Sequence, residues 1–136
     1  MLRRIAAVAG FLGAVALLPA TAWAEELKNT ISSEVSTGTT GYDGVRKSKD
    51  SDWTVFTVPA NYVINKDKTK VNVISERGSE HTYKVEYADF VQIIPDTDLK
   101  QPTTIKVMTH ARSAKGAGGG GGGMKLSLDV YYVKYK

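Results

Sequence analysis

The stretch Lys125-Leu-Ser-Leu-Asp-Val-Tyr-Tyr-Val-Lys-Tyr135 alternates apolar and polar side chains for longer than any other segment of the chain. In an extended backbone, side chains two residues apart share a face. Leu126, Leu128, Val130 and Tyr132 therefore lie on one face, and the polar residues between them lie on the other. This pattern predicts a half-buried β-strand whose apolar face belongs to the hydrophobic core.

The segment before this strand is glycine-rich, with Gly116-Ala117 followed by six glycines at 118–123. Glycine has no side chain to bury and loses the most backbone entropy on ordering. The sequence therefore predicts a flexible loop over 116–123, inside a hairpin, that tethers the last strand. It is not a phosphate-binding loop, because it lacks the Gly-Lys-Ser/Thr ending and joins two strands.

The rest of the chain also favours strands. Lys70–Ser75 and Thr82–Tyr87 flank a turn and predict a hairpin. Phe90–Ile94 is apolar on both faces and predicts a central strand, whereas 37–52 is polar and glycine-rich and predicts a long loop. About seven strands and no helix predict an all-β fold over 25–136, an antiparallel, jelly-roll-like β-sandwich, with a barrel as the alternative. The remaining segments are Leu27–Val35, Trp53–Val58, Tyr62–Ile64 and Thr103–His110.

The first 24 residues have the pattern of a secretory signal peptide. Arg3 and Arg4 precede an apolar run over 5–18, and Pro19 breaks the run before the small-residue site at 22–24. The run is shorter than the roughly 18 to 20 residues that a membrane-spanning helix needs. Cleavage after Ala24 removes 24 of the 136 residues and leaves 112, which suits a single domain. We therefore expect a secreted or periplasmic protein.

Charge and cysteine content exclude several functions. The formal net charge of +4 falls to +2 once Arg3 and Arg4 are removed, and lysines and acids are interspersed. Nucleic-acid binding requires a clustered basic surface, so it is not expected. The chain has no cysteine, so it has no disulfide, no thiol nucleophile and no thiolate metal site. Without disulfides, the domain must be stabilised by its hydrophobic core or by assembly with other chains.

Aromatic residues suggest a binding surface. All seven tyrosines lie in the mature chain, and Trp53 is its sole tryptophan. We predict Tyr42, Trp53, Tyr131 and Tyr135 as ligand-binding residues, because amphipathic aromatics stack on sugars and line binding faces. Packing in the core explains the same residues.

Two pairs of acids are spaced two residues apart, Asp50 with Asp52 and Asp96 with Asp98. Carboxylates on loops can converge on calcium, which accepts oxygen ligands in flexible geometry, and Asp96 with Asp98 is the candidate metal site. Capping of turns by aspartate explains both pairs equally well. Calcium at this turn is the only cofactor that the sequence suggests.

No catalytic constellation is evident, so no catalytic residue is assigned. His81 and His110 are the only histidines, and no Gly-x-Ser-x-Gly motif accompanies them. A small secreted hydrolase that uses these histidines with aspartates remains the alternative from the enzyme class.

We expect an exported, non-enzymatic binding module whose partner is a surface glycan or another exported protein, with peripheral contact to the cell envelope. A second alternative is a self-assembling structural subunit. Both terminal strands, Leu27–Val35 and Lys125–Tyr135, adjoin loops, and an edge strand that detaches can pair with another chain. That alternative predicts a homo-oligomer.

Overall fold

The computed structural model describes residues 26–136, which contain eight β-strands, one short 3₁₀ turn and no α-helix. The all-β prediction is confirmed, with eight strands in place of about seven. None of the helices in this range is long and apolar enough to cross a membrane. The predicted signal peptide, 1–24, lies outside the described residues. The strands are β1 (Glu26–Ser36), β2 (Ser48–Asp50), β3 (Thr54–Thr57), β4 (Tyr62–Ile64), β5 (Lys70–Arg77), β6 (Glu80–Gln92), β7 (Lys100–Arg112) and β8 (Gly123–Lys134), with the 3₁₀ turn at Lys66–Lys68.

The strands form two antiparallel sheets, each organised around one long central strand. In the first sheet β8 pairs with β1 on one side, from Glu26 opposite Val133 to Ser36 opposite Gly123. On its other side β8 pairs with β5 and then β4. In the second sheet β7 pairs with β6 on one side and with β2 and β3 on the other.

The core draws on both central strands. Leu126, Leu128 and Val130 of β8 are fully buried, as the alternation of that segment predicts, and they share one cluster with Ile105 and Val107 of β7. Full burial of each such side chain contributes about 1.5–3 kcal/mol. A second cluster at the far end of β8 joins Val63, Ile93 and Val133.

The structure corrects four predictions. The segments 70–75 and 82–87 do not form a hairpin, because β5 pairs with β8 and β6 pairs with β7. The strands on either side of the glycine tract likewise lie in different sheets. β6 continues past Ala88 to Gln92 with an irregularity at Asp89, whose φ is 56°. Phe90 is 47% exposed on the edge strand β6, so its segment is not central. The fourth correction concerns 37–52, which contains β2.

The glycine tract is an ordered crossing between the two sheets rather than a free tether. The Thr37 N–H donates to the Gly122 carbonyl over 2.9 Å, and the Gly122 N–H donates to the Thr37 hydroxyl over 2.8 Å. A Cβ at Gly122 would lie 2.5 Å from the Arg112 carbonyl oxygen, and a Cβ at Gly78 would lie 2.6 Å from the Gly122 Cα. The close approach of these backbones requires glycine at 122.

Gly122→Ala is expected to lower the free energy of unfolding by about 1–3 kcal/mol, because the new methyl group meets the backbone carbonyl of Arg112. Gly120→Ala is the matched control, since a Cβ there meets nothing within 4 Å. Urea unfolding of both variants, followed by circular dichroism, measures the difference. Equal stability of the two variants would contradict the close packing of the tract.

Candidate functional site

A polar cleft of about 300 Å³ lies where β1 passes the segment that joins β2 to β3. Ligand pockets in proteins begin at about this volume. Hydroxyl and charged side chains line it, and we call it the β1 cleft. Its lining residues are Ser32, Ser33, Glu34, Ser51, Asp52, Thr54 and Lys125.

Hydrogen-bonded hydroxyls hold the inner wall of the β1 cleft. The Ser33 Oγ lies 3.0 Å from the Thr109 Oγ1 and 3.1 Å from the Ser51 Oγ. The Ser51 Oγ also accepts the Thr109 N–H over 2.9 Å. Ser33 and Thr109 are buried, and a buried hydroxyl without a partner would cost about 1–3 kcal/mol. This network joins β1 of the first sheet to β7 of the second and fixes the cleft wall.

Both signs of charge border the β1 cleft. Glu34 of β1 is the cross-strand partner of Lys125 of β8. Residues directly opposite each other in an antiparallel pair project from the same face of the sheet, so Glu34 and Lys125 share a face. Asp52, on the β2–β3 segment, also lines the cleft. The cleft therefore presents acceptors, donors and hydroxyls that do both.

Trp53 lies between two residues that line the cleft, Asp52 and Thr54, and is partly exposed. The Lys106 ammonium lies 4.6 Å from the centre of the Trp53 ring, within the range of a cation–π interaction. Lys106 also lies 3.5 Å from the Glu86 carboxylate. The indole is thus held on the same face of the second sheet as Lys106 and Glu86, and its side chain is not one of those that line the β1 cleft.

The other three aromatic residues predicted to bind ligand lie elsewhere. Tyr42 is 95% exposed in the loop between β1 and β2. Tyr131 is on the outer side of β8, where the Lys68 ammonium lies 4.7 Å from its ring centre. Tyr135 packs against the second hydrophobic cluster. The structure therefore does not bring the four predicted residues together, and none of them lines the β1 cleft, which Trp53 adjoins only along the chain.

Asp96 and Asp98, the predicted calcium ligands, lie in the connection between β6 and β7. Thr97 organises this turn: its hydroxyl donates to the Ile94 carbonyl over 2.8 Å and accepts the Leu99 N–H over 3.3 Å. Within 26–136 no three His, Asp or Glu side chains are grouped in a way that could hold a metal ion. The turn thus supplies two exposed carboxylates and no third ligand of these types.

His110 is the centre of an ionic row on the outer face of the second sheet. Its Nδ1 lies 2.6 Å from Asp50 of β2 and its Nε2 lies 2.9 Å from Glu80 of β6. The Arg112 guanidinium donates to the second Glu80 oxygen over 3.3 Å. Hydrogen bonds to Glu80 first, and to Asp50, raise the pKa of His110, while hydrogen bonds from His110 and Arg112 lower the pKa of Glu80.

This row differs from a catalytic triad. Both ring nitrogens of His110 already contact carboxylates, so neither is left to take a proton from a hydroxyl nucleophile. The other histidine, His81, lies 2.5 Å from Glu76. Neither histidine lines the β1 cleft. The arrangement at His110 links three strands, β2, β7 and β6, by charge-assisted hydrogen bonds.

Sequence reasoning missed most of the β1 cleft. Ser32, Ser33, Glu34 and Lys125 were predicted only as strand residues. Polar residues on a strand do not by themselves predict a binding site, because this cleft forms only where the two sheets meet. No protein-family model, no curated protein and no solved structure matches the chain.

Glu80→Gln is expected to lower the pKa of His110, and Asp50→Asn is expected to lower it less, because Glu80 is the larger cause of the increase. Titration of the His110 ring signals by NMR measures the change. An unchanged His110 pKa in Glu80→Gln would show that the two side chains do not interact in solution.

The ionic row also gives stability a pH dependence. A histidine whose pKa is raised on folding stabilises fully below its unfolded pKa, about 6.5, and loses this contribution as pH rises through the folded value. A glutamate with a lowered pKa stabilises above about 4.5 and loses the contribution as pH falls through the folded value. The difference in urea midpoint between the parent and His110→Gln should therefore be largest between about pH 4.5 and 6.5. A difference that grows above pH 8 would contradict this sign.

Proposed function

We propose that the mature chain is an exported, non-enzymatic β-sandwich module that binds a glycan in the β1 cleft. The shared core of β7 and β8 supports a sandwich, since residues from both sheets face one cluster. Export is supported by the basic start and the apolar run of the first 24 residues. The secreted or periplasmic location follows from export.

The observation that carries this proposal is the composition of the β1 cleft. Four of its seven lining residues bear hydroxyls, and the other three are charged. A sugar offers many hydroxyl groups that donate and accept, so it matches a wall that mixes Ser and Thr hydroxyls with carboxylates and an ammonium. The pre-formed hydroxyl network at Ser33 lowers the entropy cost of ordering this wall on binding.

The size of the cleft favours a short saccharide over a protein surface. A stable protein interface uses about 20–30 residues on each partner, far more than the seven that line the cleft. Trp53 adjoins Asp52 and Thr54 along the chain, but its ring packs on Lys106 and is not part of the polar wall, so the proposal rests on the polar lining.

The main test uses the mature chain, 25–136, and its intrinsic fluorescence. Trp53 is the sole tryptophan of that chain and the chain neighbour of Asp52 and Thr54, so its emission reports changes in the segment that forms one wall of the cleft. A glycan array with envelope polysaccharides first selects a ligand, and a fluorescence titration then gives its Kd. Asp52→Ala should weaken binding by about tenfold or more, because a direct hydrogen bond to a charged group contributes about 1.5–3 kcal/mol.

Asp98→Ala is the matched control, since it removes the same charge on the turn that joins β6 and β7. Equal affinity of Asp52→Ala and the parent would exclude the cleft as the binding site. Failure on every glycan, together with capture of one exported protein through the same Asp52-dependent surface, would replace the glycan by a protein partner.

The hydrolase alternative is now best placed in the same cleft, because Glu34 and Asp52 both line it. Glycoside hydrolysis uses two carboxylates on either side of the scissile bond. Release of reducing ends from the bound glycan, abolished by Glu34→Gln with binding retained, would favour the enzyme over the binding module.

The alternative of fibre assembly through the terminal strands has less support. β1 and β8 pair with each other along the whole of β1, Glu26–Ser36, and β8 is paired on both sides. Release of either strand would break this ladder and expose the core residues of β8. The terminal strands therefore close the sheet of their own chain.

A further inference from the structure

The edge strand β6 has a sequence that is complementary to itself when it is read antiparallel. Over Thr82-Tyr-Lys-Val-Glu-Tyr-Ala88, a two-fold axis at Val85 places Lys84 opposite Glu86 of a second copy and Tyr83 opposite Tyr87. We propose that β6 pairs with β6 of a second copy of this chain, so that the second sheet continues across a two-fold dimer.

The edge of β6 is free to pair. Among residues 26–136, β6 is hydrogen-bonded to β7 on one side only and is the outer strand of the second sheet. Unpaired backbone groups on such an edge are a template for another strand. All seven residues from 82 to 88 pair in regular register with β7 before the irregularity at Asp89, whose φ is 56°. The regular stretch thus ends one residue after Ala88.

The direction of the backbone groups fits this axis. In β7 the carbonyls of Thr103 and Thr109 accept from Val58 and Ser51, so odd-numbered residues of β7 bond toward β2 and β3. Because bonding sides alternate along a strand, even-numbered residues of β7 bond toward β6, where Lys84 is opposite Met108. The odd residues Tyr83, Val85 and Tyr87 therefore direct their backbone groups to the free edge.

An axis at Val85 uses these outward groups. Val85 is then opposite itself in a hydrogen-bonded pair, and Tyr83 is opposite Tyr87 of the second copy in the same kind of pair. The even residues place their side chains on the outer face, where each Lys84 meets a Glu86 of opposite charge. Opposite charges directly across a strand pair stabilise it, and both contacts occur twice by symmetry.

The dimer also covers an apolar surface that the single chain leaves open. Tyr83 is 45% exposed and Val73 of β5 is 46% exposed, although both belong to the inward faces of their strands. β5 and β6 are the outer strands of different sheets on this side, and the exposure of Val73 and Tyr83 shows that the sheets do not pack closely there. A second β6 laid along the edge would cover Tyr83.

Other edges are less suited to self-pairing. β5 carries a bulge between Val73 and Ser75. β2 and β3 are short and interrupted. β1 also reads as self-complementary around Ile31, with Lys28 opposite Glu34, but its edge borders the β1 cleft and is tied to the β2–β3 segment through Ser33 and Ser51.

The test combines affinity with a cross-link in the mature chain, 25–136. Sedimentation velocity over a concentration series should show a monomer–dimer equilibrium. Lys84→Glu should weaken the dimer by about tenfold or more, because it creates two like-charge contacts across the axis. Lys49→Glu on the opposite edge of the same sheet carries the same charge change and should leave the dimer unchanged.

Val85→Cys supplies the second measurement. The chain has no cysteine, so any disulfide of this variant joins two copies. Opposed residues of a hydrogen-bonded pair have Cα atoms about 5.5 Å apart, within disulfide range. Mild oxidation should give a dimer with Val85→Cys and none with Val55→Cys on β3. A monomer at all concentrations without this cross-link, or a dimer that Lys84→Glu leaves intact, would overturn the proposal.

Discussion

The structure depends on the double-sided pairing of β7 and β8. Each of these strands carries a run of apolar side chains into the core, and a buried backbone group without a hydrogen bond is costly. β8 meets this requirement by pairing with β1 along one edge and with β5 and β4 along the other. The shorter strands therefore act as partners that allow the two central strands to be buried in a chain without disulfides.

Placing two consecutive long strands at the centres of different sheets forces the chain to cross between sheets. The crossing occurs through the glycine tract, and Gly122 lies so close to the Arg112 carbonyl that a side chain would clash. Glycine is thus used here for close approach as well as for loop formation. The crossing also brings the 37–40 loop into contact, since Thr40 N–H donates to the Gly119 carbonyl over 2.8 Å.

The same arrangement gives the two sides of the molecule different properties. Where β1 approaches the β2–β3 segment, buried hydroxyls join the sheets and a polar cleft forms. Along the outer strands β5 and β6, inward-facing Val73 and Tyr83 remain about half exposed. The polar cleft and the half-exposed edge of β6 are therefore separate surfaces, and no residue of β6 lines the β1 cleft.

The sequence by itself determined that this chain is all-β and which face of β8 is buried, because a period of two residues is a local property of an extended backbone. The segments at Tyr62–Ile64 and Leu27–Val35 were predicted close to their observed bounds for the same reason. Strand pairing was decided only by the tertiary structure. The sequences of β5 and β6 predict a hairpin, but β5 pairs with β8 and β6 pairs with β7, because the two buried central strands each need a partner on both edges. The β1 cleft could not be predicted from the sequence either. Ser33, Ser51 and Thr109 are distant along the chain and meet only in the folded structure. Alternation within one strand carries no information about which other strand lies across from it.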